Sequence, residues 1–172
     1  MPAMPKNRST PQDATPAGRL VEASLHLVLG YQLAQASIVT NAVFAGRIGA
    51  SFDLRPVEYT VLSLIHENPD VSAARLAKAL AVTAPNITAW IERLERRGLI
   101  QRTPHATDRR AQYLRTTPEG AALAGQATRS VLEGEHEALG NLSVAERMML
   151  IELLHKVAMS RGAAAEAHRA PT

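Results

Sequence analysis

The densest chemistry in this sequence is a concentration of arginines. From Thr83 to Arg115 the chain carries seven of them, at positions 93, 96, 97, 102, 109, 110 and 115, against Glu92, Glu95 and Asp108. The whole chain has a formal charge of only +3, so this one stretch holds more than the entire excess. Every cation in it is Arg and none is Lys. A planar guanidinium makes forked bonds to phosphate and enters a narrow groove better than a point-charge ammonium does. Four of the arginines fall in RTPHATDRRAQYLRT, residues 102–116, around one Asp and one His. A solvated helix face followed by a charged turn would have the same composition. Position in the chain decides between the two readings.

Other chemistries have little to work with. There is no cysteine, which removes disulfides, thiolate nucleophiles and cysteine zinc sites together, and the pattern fits a cytoplasmic protein. Six histidines, at 26, 66, 105, 136, 155 and 168, are scattered, and no two share the three- or four-residue spacing of a helical metal pair. Glu133, Glu135, His136 and Glu137 form one cluster of ligand-type side chains, but on a helix they point around the axis as a solvated polar face would. No phosphate-cradling glycine loop, dinucleotide fingerprint or nucleophile elbow occurs. The sequence therefore reads as neither an enzyme nor a metal protein, and it implies no cofactor.

The elements that must carry the arginines are mostly helical. Hydrophobic residues make up 46% of the 172 positions and aromatics only 3%, so the core is expected to be aliphatic side chains on helices. A first helix is expected from Arg19 to about Gly49, roughly 45 Å long at 1.5 Å per residue, more than a chain of this size can cover alone. Dimerisation follows from that excess. Leu54, Val57, Val61, Leu62 and Ile65 give a second helix that starts near Pro56 and ends before Asn68-Pro69. Arg55, at its cap position, has no side-chain oxygen to offer. Ser72 caps a third, with Leu76, Ala79 and Leu80 on one face, and Thr83 caps a fourth, with Ile87, Trp90, Ile91 and Leu94 as its stripe. The joint between these two is so short that they must cross, as in a helix-turn-helix. Gly98 ends the fourth helix. LIQRTP and AQYLRT then read as a hairpin around the loop HATDRR. Thr117-Pro118-Glu119 opens another long helix, and Ser143-Val144-Ala145-Glu146 is a capping box for the last.

Placed beside a helix-turn-helix, the arginines suit nucleic acid. On the fourth helix, Pro85, Thr88, Ala89, Glu92, Arg93 and Arg96 lie opposite the apolar stripe, with Asn86 on the flank. The small and polar first-turn residues suit base edges, and Arg93, Arg96 and Arg97 suit phosphates. Trp90 reads as core rather than as a base-stacking platform. One stretch, Leu27 to Ala45, runs 19 residues without a charge, close to the ~20 that span a bilayer. Gln32, Gln35, Ser37, Thr40 and Asn41 scatter around its axis and argue for a helix buried by protein instead. The N-terminal residues lack the apolar segment of an export signal.

From Leu54 to Gly120, through VEYTVLSLI, ARLAKALAVTAPNITAWIERLERRGLIQR and DRRAQYLRTTPEG, the chain resembles the MarR family of bacterial winged-helix transcription regulators. The resemblance implies a mainly α fold with a small β-hairpin wing. A disordered arm would cover 1–17 and a MarR-type domain 18–160. Within it a winged helix-turn-helix, 54–116, would lie between dimerisation helices in 18–50 and 117–160, and a frayed tail would follow over 161–172. It implies a homodimer on a pseudo-palindromic DNA duplex in the bacterial cytoplasm and nucleoid, with no membrane involvement. Thr83, Ala84, Pro85, Asn86, Thr88 and Ala89 would enter the major groove. Arg93, Arg96 and Arg102 would add backbone contacts, and Arg109 and Arg110 would serve from the wing, with Asp108 holding the pose of Arg110. Two departures stand out: Ala89 replaces the arginine many relatives have there, and Pro85 brings no amide donor. The family also implies a small, often aromatic and anionic effector that releases DNA, for which Gln35, Val39, Arg55 and Tyr59 are the candidate residues. The alternative reading is a winged protein-interaction module that does not bind DNA specifically.

Overall fold

A computed structural model describes residues 14–104 and 112–161. Its helices are α1 (Leu29–Phe44), α2 (Pro56–Glu67), α3 (Ala73–Leu80), α4 (Ala84–Arg96), α5 (Pro118–Ala138) and α6 (Val144–Met159). Strands β1 (Ile100–Pro104) and β2 (Gln112–Thr116) pair antiparallel, with Ile100 opposite Thr116 and Pro104 opposite Gln112. The chain divides into two compact units between Gly134 and Glu135.

The first unit holds the winged helix-turn-helix. Its core draws Leu54, Val61, Leu62 and Ile65 from α2 and its approach, Leu76 from α3, Ile87, Ile91 and Leu94 from α4, and Leu99, Ile100 and Leu114 from the hairpin. Side chains three and four apart on α4 supply its buried stripe, and Trp90 packs beside it. On α3, Leu76 is buried and Ala77 and Leu80 pack against the core, whereas Ala79, expected on that face, is exposed. The hairpin is widened by a bridge between Val71 and Leu114: Asp70 N–H donates to Leu114 O at 3.1 Å and Leu114 N–H to Val71 O at 3.0 Å.

Caps set the element ends. Ser72 Oγ accepts from Arg75 N–H at 3.3 Å. Gly98, at φ +69°, turns the chain out of α4 in the left-handed region that glycine enters without penalty. Thr117 Oγ1 accepts from Gly120 N–H at 3.0 Å and donates to Gly98 O at 2.7 Å, so one hydroxyl caps α5 and holds the end of α4. Gly120 lies so close to the Leu99 carbonyl that a Cβ there would stand 1.8 Å from its oxygen.

The expected single helix from Arg19 to Gly49 is a correction. A 3-10 turn, Ala23–Leu27, is followed by extended Val28, and α1 begins only at Leu29. Glu22, 6% exposed, accepts from Tyr31 Oη at 2.9 Å and lies 3.1 Å from His26 Nδ1. In a continuous helix residues 22 and 31 would be about 13 Å apart along the axis, out of reach. Closing this contact requires the bend. Burial, then the Glu22 carboxylate, pushes the Tyr31 hydroxyl above its ordinary value. Ala14 bridges Val21 and Thr15 Oγ1 accepts from Leu20 N–H, so part of the expected disordered arm is structured. After α1 the chain passes through a wide π turn, Ala45–Gly49, and one helical turn that stops at Asp53, where φ is +46°.

The second unit contains the capping box expected at Ser143: Ser143 Oγ accepts from Glu146 N–H at 3.3 Å, and Glu146 Oε2 accepts from Ser143 N–H at 2.8 Å. The Ser143 hydroxyl also donates to Glu146 Oε2 at 2.7 Å, and this bond, then the one from Ser143 N–H, holds the Glu146 carboxyl below its ordinary value. Helix α6 buries none of its residues. No described helix is long and apolar enough to cross a membrane.

Candidate nucleic-acid interface

The exposed face of α4 begins at Thr83, which has the extended backbone of a cap but makes no side-chain capping bond. Thr83, Ala84, Pro85, Asn86, Thr88 and Ala89 are all exposed, while Ile87 and Ile91 on the other side are buried. Six of the candidate residues thus share one solvent-facing surface at the positive end of the helix dipole. The first-turn amides of Ala84 and Asn86 have no partner within an α-helix, and Pro85 contributes none. Small side chains here let that end approach a groove or a phosphate closely.

The arginines divide differently from the expectation. Arg93 Nε lies 2.9 Å from Glu58 Oε1, and Glu58 is 1% exposed. Arg97 donates to the carbonyls of Phe52, at 3.0 Å, and Asp53. Arg102 Nε is 2.9 Å from Glu95 Oε2, and its Nη1 is 3.2 Å from Gln112 Oε1. Arg115 grips Asp70 with two 2.6 Å bonds, tying β2 to the turn before α3. Those bonds hold Asp70 below its ordinary carboxylate value and raise Arg115. Arg96 is exposed, with one long 3.4 Å bond to the Glu92 carbonyl of its own helix. Four of the seven arginines that suggested nucleic acid are therefore engaged by the protein. The charge count alone overstated the surface available to phosphate. Asp108, Arg109, Arg110 and His105 lie outside the described residues.

Sequence reasoning missed Glu58, Asp70 and the anchoring role of Arg97. A glutamate at the third position of α2 is a legible signal, since Glu58 Oε2 accepts from Arg55 N–H at 3.0 Å and so supplies the cap that the Arg55 side chain cannot. Asp70 had no such signal, because its partner lies 45 residues away.

Two cavities flank α4. One of about 370 Å³ lies between α3, α4 and the hairpin, beside Thr88 and Arg102. The other, about 490 Å³, is lined by Asn41, Phe44 and Ala45, by the approach to α2, and by Arg55 and Arg93. Of the four candidate effector residues, Arg55 lines it, and Gln35, Val39 and Tyr59 do not. The end of α1, not its middle, faces the start of α2. Tyr59 is turned away: its Oη lies 3.1 Å from Thr128 Oγ1 and its ring centroid 5.7 Å from that of Phe44. Among the described residues no group of three His, Asp or Glu side chains is placed to hold a metal ion.

Comparison with known proteins gives a consistent result. The family model of the MarR family matches residues 54–111. A Thauera aromatica protein named as a transcriptional regulator for the hcr operon is 33% identical over 154 residues, covering 90% of this chain and 92% of that protein. Among solved structures, the transcriptional repressor CouR bound to a 23-mer DNA duplex is similar with a TM-score of 0.73 and 31% identity, over 81% of this chain and 98% of that one. BpsR of Bordetella bronchiseptica, whose DNA binding is regulated by 6-hydroxynicotinic acid, has a TM-score of 0.67 and 28% identity over 76% of this chain and 92% of that one.

Proposed function

The chain belongs to the MarR family, and we propose that it is a homodimeric transcriptional repressor that binds a pseudo-palindromic duplex in the bacterial cytoplasm and leaves it when a small anionic ligand binds. The observation that carries this reading is the exposed first turn of α4, from Thr83 to Ala89, backed by a continuous core in a chain so similar to DNA-bound CouR. The family is one of transcriptional regulators, and we assign the chain no catalytic step.

In this reading Thr83, Asn86 and Thr88 approach base edges, with Ala84, Pro85 and Ala89 giving the close fit, and Arg96 contacts phosphate. Arg109 and Arg110, supported by Asp108, act from the wing. Dimerisation is supported by α6, where Met148, Met149, Leu150, Ile151, Leu153 and Leu154 are between 39% and 62% exposed. A single-chain protein rarely leaves so large an apolar surface in water. The 490 Å³ cavity suits a small carboxylate, because Arg55 and Arg93 are among its lining residues, Arg93 keeping its Nε on Glu58.

The test is selection of bound duplexes from random DNA, followed by titration at several salt concentrations. A recurrent inverted repeat, bound with an affinity that falls steeply with salt, is expected. Enrichment of no sequence would sink the proposal. Substituting Arg96→Ala should lower the salt slope by about 0.9, one phosphate contact.

A further inference from the structure

The structure assigns Arg93 a positioning role: together with buried Glu58 it fixes the pose of α4, and it does not serve as a phosphate ligand. The assignment rests on the DNA-binding reading above and changes what one of its residues does. Arg93 lies in the last turns of α4, where sequence alone directs it to solvent and to phosphate. Its Nε instead lies 2.9 Å from Glu58 Oε1, in the first turn of α2. The Glu58 side chain is 1% exposed, and its other oxygen accepts from Arg55 N–H at 3.0 Å. A carboxylate removed from water this far needs charge and hydrogen bonds on both oxygens, and these two contacts supply them. Four residues further on, at the C-cap of α4, Arg97 holds the carbonyls of Phe52 and Asp53. Two arginines, one in the last turns of α4 and one at its C-cap, thus clasp the same segment, residues 52–58, at the entry to α2. That clasp joins the recognition helix to the scaffold at its C-terminal half, leaving the N-terminal half projecting. A small rotation about it would displace the base-facing residues from their register.

Positioning and phosphate contact predict different behaviour. A phosphate ligand contributes equally to every duplex and to the salt slope, whereas a positioning residue acts on the specific complex and leaves the slope alone. The experiment compares wild type, Glu58→Gln and Arg93→Gln on a duplex selected from random DNA by the wild-type protein and on a scrambled duplex of the same length. Both are titrated across a range of salt, with thermal melts of each variant. Glu58→Gln is the informative change, because the residue is buried away from any duplex and glutamine keeps its shape and its bond to Arg55 N–H. Expected is a loss of about tenfold in affinity for the selected duplex in both variants, as for residues coupled in one network, with unchanged scrambled-duplex affinity and salt slope. Should Arg93→Gln fail to fold because it strands a buried charge, the double variant Glu58→Gln/Arg93→Gln, which removes both charges, takes its place. The inference is overturned if Glu58→Gln binds the selected duplex as well as or better than wild type, or if removing Arg93 lowers the slope by about 0.9. It is also overturned if both duplexes lose affinity in proportion, as a merely unstable fold would show. Failure of the wild-type protein to prefer any duplex would instead count against the DNA-binding function itself.

Discussion

Replacing Gly120 by alanine should destabilise the winged unit, although the same change at Gly125, in the same helix, should stabilise it. A Cβ at Gly120 would sit 1.8 Å from Leu99 O and 2.7 Å from its carbonyl carbon. An ordinary carbon–oxygen contact needs roughly 3.3 Å, so the two backbones would have to part by more than about 1 Å. Both are main chain, and no rotamer change relieves the clash. Parting them also strains the bonds that join this corner, Thr117 N–H to Leu99 O at 3.0 Å and Thr117 Oγ1 to Gly98 O at 2.7 Å. Overpacking of this kind costs about 1–3 kcal/mol and a weakened hydrogen bond about 1 more, offset by up to about 1 kcal/mol from alanine's helix propensity. The net expectation is a loss of about 2 kcal/mol, or roughly 4–8 °C in melting temperature. Gly125, five residues along the same helix, is the control. A Cβ there meets only the flexible end of Arg129 at 3.6 Å, so Gly125→Ala should gain about 0.5–1 kcal/mol. Thermal and urea melts at one fixed protein concentration would measure both, since an associating protein melts at a concentration-dependent temperature. If Gly120→Ala melts at or above the wild-type temperature, the close approach to Leu99 does not govern this corner.

Three further outcomes follow from the same geometry. The Asp70 carboxyl, held below its ordinary value of 3.8 by Arg115, contributes stability that is complete above that value and lost as pH falls through the depressed folded value. Asp70→Asn should therefore be less stable than wild type near neutrality, and the gap should close in acid; a constant gap in urea melts from pH 7 to pH 3 would contradict this. Ala81, at φ +53° after α3, carries a conformation that disfavours a Cβ, and Ala81→Gly should raise stability by about 1 kcal/mol in the same melts. If α6 is a dimer contact, Ile151→Glu should yield a folded protein of half the mass by light scattering, and an unchanged mass would remove α6 from the interface.

Much of the architecture was legible because it is written in local signals. The stripe of Ile87, Ile91 and Leu94, the Ser72 and Ser143 caps, Gly98 and the Thr117-Pro118 helix start act over about two turns or less, and each appears where its residues place it. The family was legible too, since its motifs occur in order along one stretch. The first helix was not. Its interruption at Val28 depends on Glu22 reaching Tyr31, a contact that exists only once the chain has bent.

The sequence by itself determined that α4 buries Ile87, Ile91 and Leu94 and shows Thr88, Ala89 and its first turn to solvent, because a 3.6-residue period is enough to sort them. It also determined that positive charge gathers between Thr83 and Arg115. Only the tertiary structure decided how that charge is used. Asp53, Glu58 and Asp70 lie 44, 35 and 45 positions from Arg97, Arg93 and Arg115, and no local pattern relates them. Side chains that compete with phosphate for an arginine are brought to it by packing, and packing is set by the whole core. The same seven arginines that read as one basic surface are therefore, in the folded chain, partly the fastenings of the helix that surface was expected to serve.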